Sequence, residues 1–183
     1  MEETMRYNGF KVRGVLMWIA ANMDDEECES LWRVIYLSER RHLAMHGEWM
    51  LGDIFVAMKD GPVPLRTFTE LMMGTGSRGS AGSHPVRQLW RMAMRFQEPS
   101  IKLLMAEIDL DCLEWALGEA RRLGPEGLGP VVRGRAWERA GLDGELDPLE
   151  VAMEGNADAA TLEQVLEWRG REAADGFECS MAG

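Results

Sequence analysis

Apolar residues recur at three- and four-residue steps from Phe10 to Met23, where Val12, Val15, Leu16, Ile19 and Met23 share one helical face. A second helix is expected from about Asp25 to His46. Asp24 and Asp25 read as its N-cap, Cys28, Leu31, Trp32, Ile35, Leu43 and Met45 supply its apolar positions, and Gly47 suits C′. It is the predicted central helix. The period then shortens: Ile54, Val56 and Met58 alternate with Phe55, Ala57 and Lys59, which predicts a brief strand, with a helix as the rival. Asp60-Gly61-Pro62 stops that segment, because glycine permits unusual dihedrals while proline fixes its own φ and biases its predecessor away from α. Pro64 fits the first turn of a helix running to about Met73.

Residues 74–85, "GTGSRGSAGSHP", bury almost nothing and predict a mobile Gly/Ser-rich loop. "VRQLWRMAMRF" fits helix or strand, and "SIKLLMAEID" is expected as a short strand pairing with the Ile54 segment. Asp111 is expected to cap a helix carrying Leu113, Leu117 and Ala120, closed by Gly124-Pro125. Short helices follow around Ala136-Trp137-Ala140, over 148–154 and over 158–169. The expected fold is mainly α: a single compact domain of about six or seven helices with at most a small two- or three-stranded β element. Residues 1–140 form the main helical unit, 141–169 a C-terminal helical extension packed on it, and 170–183 a flexible tail.

Composition narrows the function classes. Hydrophobic residues make up 46% and charged residues 28% of the 183, so a folded core is expected. The formal net charge of −11, from 31 acidic and 20 basic side chains, repels phosphate backbones and anionic lipid, and no direct nucleic acid binding is expected. Cys28, Cys112 and Cys179 are scattered, with no CxxC spacing, which favours neither a disulfide framework nor zinc and fits a reducing cytoplasm. The acidic start "MEETMRYNGF" lacks a signal peptide's basic region, and "GVLMWIAA" is too short to span a bilayer.

The chemical motifs are incomplete. Gly74-x-Gly76-x-x-Gly79 has the glycines of a dinucleotide loop without the preceding strand and following helix. His42 and His46, with Glu39 a turn earlier, share a helical face as metal ligands would, yet the HExxH glutamate and a third ligand are missing. Ser77, Ser80 and Ser83 beside His84 lack a GxSxG frame. Fourteen methionines and seven tryptophans supply core filler and, where exposed, adaptable anchors for a protein partner.

One string is more specific. "LWRVIYLSERRHLAMHGEWMLGDIFVAMKDGPVP" resembles the Panacea antitoxin domain, the SocA-like, phage-associated family. Tyr36, Ser38, Glu39, Arg40, His42, Leu43, Gly47, Gly52, Asp53, Val56, Ala57, Met58, Gly61, Pro62, Val63 and Pro64 carry the pattern in order. The resemblance covers about residues 10–73 and is thinner over 100–140, with Ala136-Trp137 matching a later Ala-Trp. Glu39 replaces the family's usual Asp, and the histidine common before that Trp is absent from Val131-Val132-Arg133-Gly134. The family implies a small, mostly helical cytosolic protein that neutralises a neighbouring-gene toxin by direct binding, without catalysis or cofactor.

The expected partner is therefore a cognate toxin, or a host or phage protein, with a homodimer also possible. The expected contact residues are Tyr36, Arg40, His42, Gly61, Pro62, Val63, Arg66 and Trp137, with no catalytic, cofactor or metal site. The rival readings are a phage-encoded protein that inhibits or redirects a host factor, and a metal-dependent hydrolase built on His42 and His46.

Overall fold

The computed structural model describes residues 7–24, 27–74 and 104–181, with side chains described throughout except at 28–29, 72–74 and 171–181. Of the loop expected over 74–85, Gly74 is the last residue of a helix and the rest lies outside the described residues, as do the "VRQLWRMAMRF" stretch and the cap at Asp25. Helix α1 (Gly9–Asn22) starts where the Asn8 side chain accepts from the Lys11 N–H, and buries Val12, Val15, Trp18 and Ile19. A 3₁₀ turn (Glu27–Ser30) leads into α2 (Leu31–His46). The α-helix thus begins later than Asp25. Asp24 and Glu27 exchange backbone-to-carboxylate hydrogen bonds, which cap the tighter turn first. At the other end Gly47 (φ 72°) takes the left-handed conformation, and its N–H reaches the Leu43 carbonyl.

β1 (Phe55–Met58) and β2 (Gly61–Pro64) form an antiparallel hairpin with Phe55 opposite Pro64 and Met58 opposite Gly61. The Gly-Pro-Val-Pro corner is thus itself a strand. Pro62 and Pro64 face Ala57 and Phe55, the β1 residues whose backbone groups bond outward to 143–146 instead: Ala57 N–H to Gly144, Asp143 N–H to Ala57 and Leu146 N–H to Phe55. The missing proline N–H groups are therefore not needed in the ladder. The expected pairing of "SIKLLMAEID" with the Ile54 segment does not occur among the described residues. Its described part is irregular over 104–106 and helical from Glu107, because the Asp109 carboxylate accepts from the Ala106 N–H and starts a helix there.

α3 (Leu65–Gly74) follows the hairpin directly. α4 (Glu107–Val132) starts before Asp111, breaks at Gly124 (φ 67°, ψ 172°) and resumes at Pro125, whose fixed φ suits the first turn of the new segment. α5 (Arg135–Ala140), α6 (Pro148–Glu154) and α7 (Ala159–Met181) complete the described chain. α7 runs past Gly170, where a tail was expected, sustained by good helix formers such as Glu172, Ala173 and Ala174. The protein is mainly α with a small two-stranded sheet.

α2 is central, packing against α4, α6, α7 and the hairpin. Val34, Ile35, Tyr36, Leu37 and Leu43 are buried among Phe55, Leu113, Leu128, Leu146 and Val151. Each fully buried aliphatic side chain contributes roughly 1.5–3 kcal/mol of transfer free energy. Residues 141–154 belong to the same core through Leu146, Val151 and Ala152. Among the described residues no helix is long and apolar enough to cross a membrane.

Candidate functional site

The buried polar residues of the segment 31–64 converge inside the fold. Glu39, fully buried on α2, accepts the N–H groups of Met50 and Leu51 at 2.6 and 2.9 Å, so one carboxylate fixes the irregular chain leading to β1. Burial pushes its carboxyl up to about 7, against the pull of His42 and the two backbone donors. One turn on, His42 has Nδ1 2.9 Å from the Glu48 carbonyl and Nε2 3.4 Å from Asp109 of α4. Both ring nitrogens face acceptors, a geometry that suits the imidazolium. Burial opposes that charge, but Asp109, the Glu48 carbonyl and Glu39 outweigh it and hold His42 above its ordinary value. Asp109 is pulled below the usual range: its burial penalty is overcome by His42, the Ala106 N–H and Lys11, whose Nζ lies 3.2 Å away.

Asp53 is a third buried acid, and its work is local. Oδ1 accepts from the N–H groups of Ile54 and Arg66, and Oδ2 from the N–H and hydroxyl of Thr67, so it caps α3 with three bonds and ties Ile54 with a fourth. These carboxylates are consumed by the backbone. His42 and His46 do come together, with ring centroids 4.9 Å apart and the rings tilted by 53°. Among the described residues, however, no group of three or more His, Cys, Asp or Glu side chains is placed to hold a metal ion. Burial pushes the Cys112 thiol up to about 11, away from a reactive thiolate.

The expected contact set divides by exposure. Tyr36 (0% exposed) and His42 (1% exposed) are interior groups, the first against Phe55 with its hydroxyl unpartnered among the described residues, the second in the polar cluster. Gly61, Pro62 and Val63 are likewise buried in β2. None of these five is available to a partner in this fold, because α2 and its neighbours use them as core. Arg40 is half-buried, donating to the Val131 carbonyl near Glu154. Trp137 is half-buried and donates its indole N–H to the Met58 carbonyl at 2.9 Å. Arg66 is exposed, its guanidinium 4.0 Å from the Tyr7 ring centre and its Nε bonded to Glu70.

The residues that do face solvent here lie on the other side of the hairpin. Phe55 and Ala57 point inward, which turns Ile54 and Met58 outward; Leu65, bonded through its N–H to the Ile54 carbonyl, and Leu142 beside Asp143 are exposed as well. β1 is hydrogen-bonded along both edges, so these apolar groups sit on a fixed frame. The alternation in the sequence separates the two sets but does not say which is inside. Next to Ile54 lies a crevice of about 240 Å³, walled by Trp49, Phe55 and Trp168, with Glu145, Asp147 and Arg169 at its polar rim.

No protein-family model, curated protein or solved structure matches this chain. Its functional reading therefore rests on its own residues and geometry.

Proposed function

We propose that this chain is an antitoxin-like protein that neutralises the product of a neighbouring gene by direct protein–protein binding, in the cytoplasm and without turnover. The observation that carries the reading is the apolar outer face of the hairpin, where Met58 on β1, with Ile54 and Leu65 at the hairpin's open end, stands exposed beside a strand held from both edges. Apolar groups on a frame that is already rigid lose little conformational freedom when a partner covers them, which is the condition for a tight interface. Arg66 lies beside Leu65 as the charged member of this face, and Trp137 braces it from below through Met58. The resemblance to Panacea antitoxin domains supports the same reading. So does the use of Glu39 and Asp53, the string's buried acids, as clamps on backbone N–H groups, with Asp109 of α4 doing the same, which assigns them to building the frame.

The test is co-expression with the adjacent gene in a growth assay. The adjacent product alone is expected to arrest growth, and this chain to restore it. A harmless neighbour, or arrest that this chain does not relieve, contradicts the proposal.

A further inference from the structure

The crevice beside Ile54 has a chemistry of its own. Trp49 and Phe55 stack at 5.2 Å between ring centres and form one wall, and Trp168 of α7 forms another. Three carboxylates line it, those of Asp53, Glu145 and Asp147, against the single guanidinium of Arg169. Their roles differ. Asp53 is taken up by the backbone of α3, and Asp147 is neutralised by Arg169 at 2.8 and 3.1 Å. Glu145 is exposed at the rim, and among the described residues no side-chain hydrogen bond or ion pair engages it. The lining thus carries an excess of negative charge within a chain whose formal net charge is −11.

Size decides what could enter. A volume of about 240 Å³ falls below the roughly 300–1,000 Å³ typical of sites that enclose a small-molecule ligand. It suits one side chain. Aromatic faces with a free carboxylate at the edge attract a cation through ring quadrupole and Coulomb terms together. Among the described residues the buried indole N–H of Trp168 has no partner and remains a donor for a carbonyl.

We propose that this crevice is a socket for one arginine or lysine side chain of the partner polypeptide, gripped between the tryptophans and paired with Glu145. The proposal rests on the protein-binding reading above and deepens it: the partner presents a basic residue next to an apolar patch that covers Ile54 and Leu65. Steering by the acidic surface brings such a partner in, and the socket fixes its register.

The test uses the intact protein and needs no partner. The peptide acetyl-Gly-Arg-Gly-amide is titrated while the tryptophan indole N–H signals are followed by ¹H–¹⁵N NMR, with the Trp168 signal assigned by its loss in Trp168→Phe. The arginine peptide is expected to shift the Trp168 signal saturably, and the same peptide with uncharged citrulline to leave it in place. Glu145→Gln, a surface change that keeps the native spectrum, is expected to weaken the arginine peptide about three- to fivefold, the effect of one semi-exposed charge pair. Equal shifts from both peptides, no shift of Trp168 at the highest soluble concentration, or an affinity unchanged by Glu145→Gln overturns the socket. Those outcomes leave growth rescue by the whole chain untouched, and failure of rescue leaves peptide binding intact, so the two readings fail separately.

Discussion

His42 of α2 and Asp109 of α4 face each other at 3.4 Å with both side chains out of solvent, so these two packed core helices are joined by an ion pair whenever the imidazole is protonated. Lys11 adds α1 to the same carboxylate, and Glu39 lies one turn away on α2.

This cluster makes stability depend on pH in a defined direction. Glu39 and His42 both bind protons more tightly folded than unfolded, so their contributions favour the native state at lower pH and weaken as pH rises, Glu39 between its ordinary value of 4.5 and about 7, His42 from near 6.5 upward. Asp109, depressed in the fold, acts oppositely, and its contribution is lost as pH falls below the ordinary carboxylate range. Thermal melts across pH are expected to peak on the acid side of neutrality and to decline from pH 6 to 8, by up to about 1.4 kcal/mol per pH unit for each proton released. His42→Gln flattens that decline. A profile rising steadily from pH 5 to 8 contradicts the assignment.

Glu39→Gln keeps the shape but puts an amide NH₂ against one of two backbone donors. With Met50 or Leu51 N–H left buried and unpaired, urea unfolding is expected to show a loss of about 1–3 kcal/mol. Glu39→Ala, which strands both donors, costs more.

Asp53→Ala removes the three-bond cap on α3 together with the tie to Ile54. The expected loss is about 1–2 kcal/mol or slightly above, by the same measurement, at the upper end for cap residues because the carboxylate is buried.

Gly61→Ala tests the hairpin turn. Gly61 has φ 130°, and a Cβ there would meet the Val132 side chain at 3.0 Å, so strain and overlap combine. A cost of about 1–3 kcal/mol is expected, read from the shift of the urea midpoint.

Much of this architecture is legible in the chain and some is not, for physical reasons. Local rules locate α1, the end of α2 at Gly47, the break at Gly124-Pro125 and the alternation of β1, because each depends on neighbouring residues alone. The strand at Gly61–Pro64 is hidden, since proline argues against a strand unless its missing N–H faces away from the ladder, and only the tertiary register supplies that condition. The same limit governs the site. Tyr36 and His42 carry the polar handles of a surface group, yet the packing of α4, α6 and the hairpin around α2 encloses them, while the alternation through β1 leaves open which set faces out, and Ile54 and Met58 end outside.

The central claim, that the outer hairpin face binds a partner protein, is tested most directly by native mass spectrometry of this chain co-expressed with its neighbouring gene product, beside the double variant Ile54→Asp, Leu65→Asp. The account predicts a complex for the natural chain and its loss in the variant, whose melting temperature stays within a few degrees because both residues are solvent-exposed. A complex that survives both substitutions, or no complex with the natural chain, contradicts it.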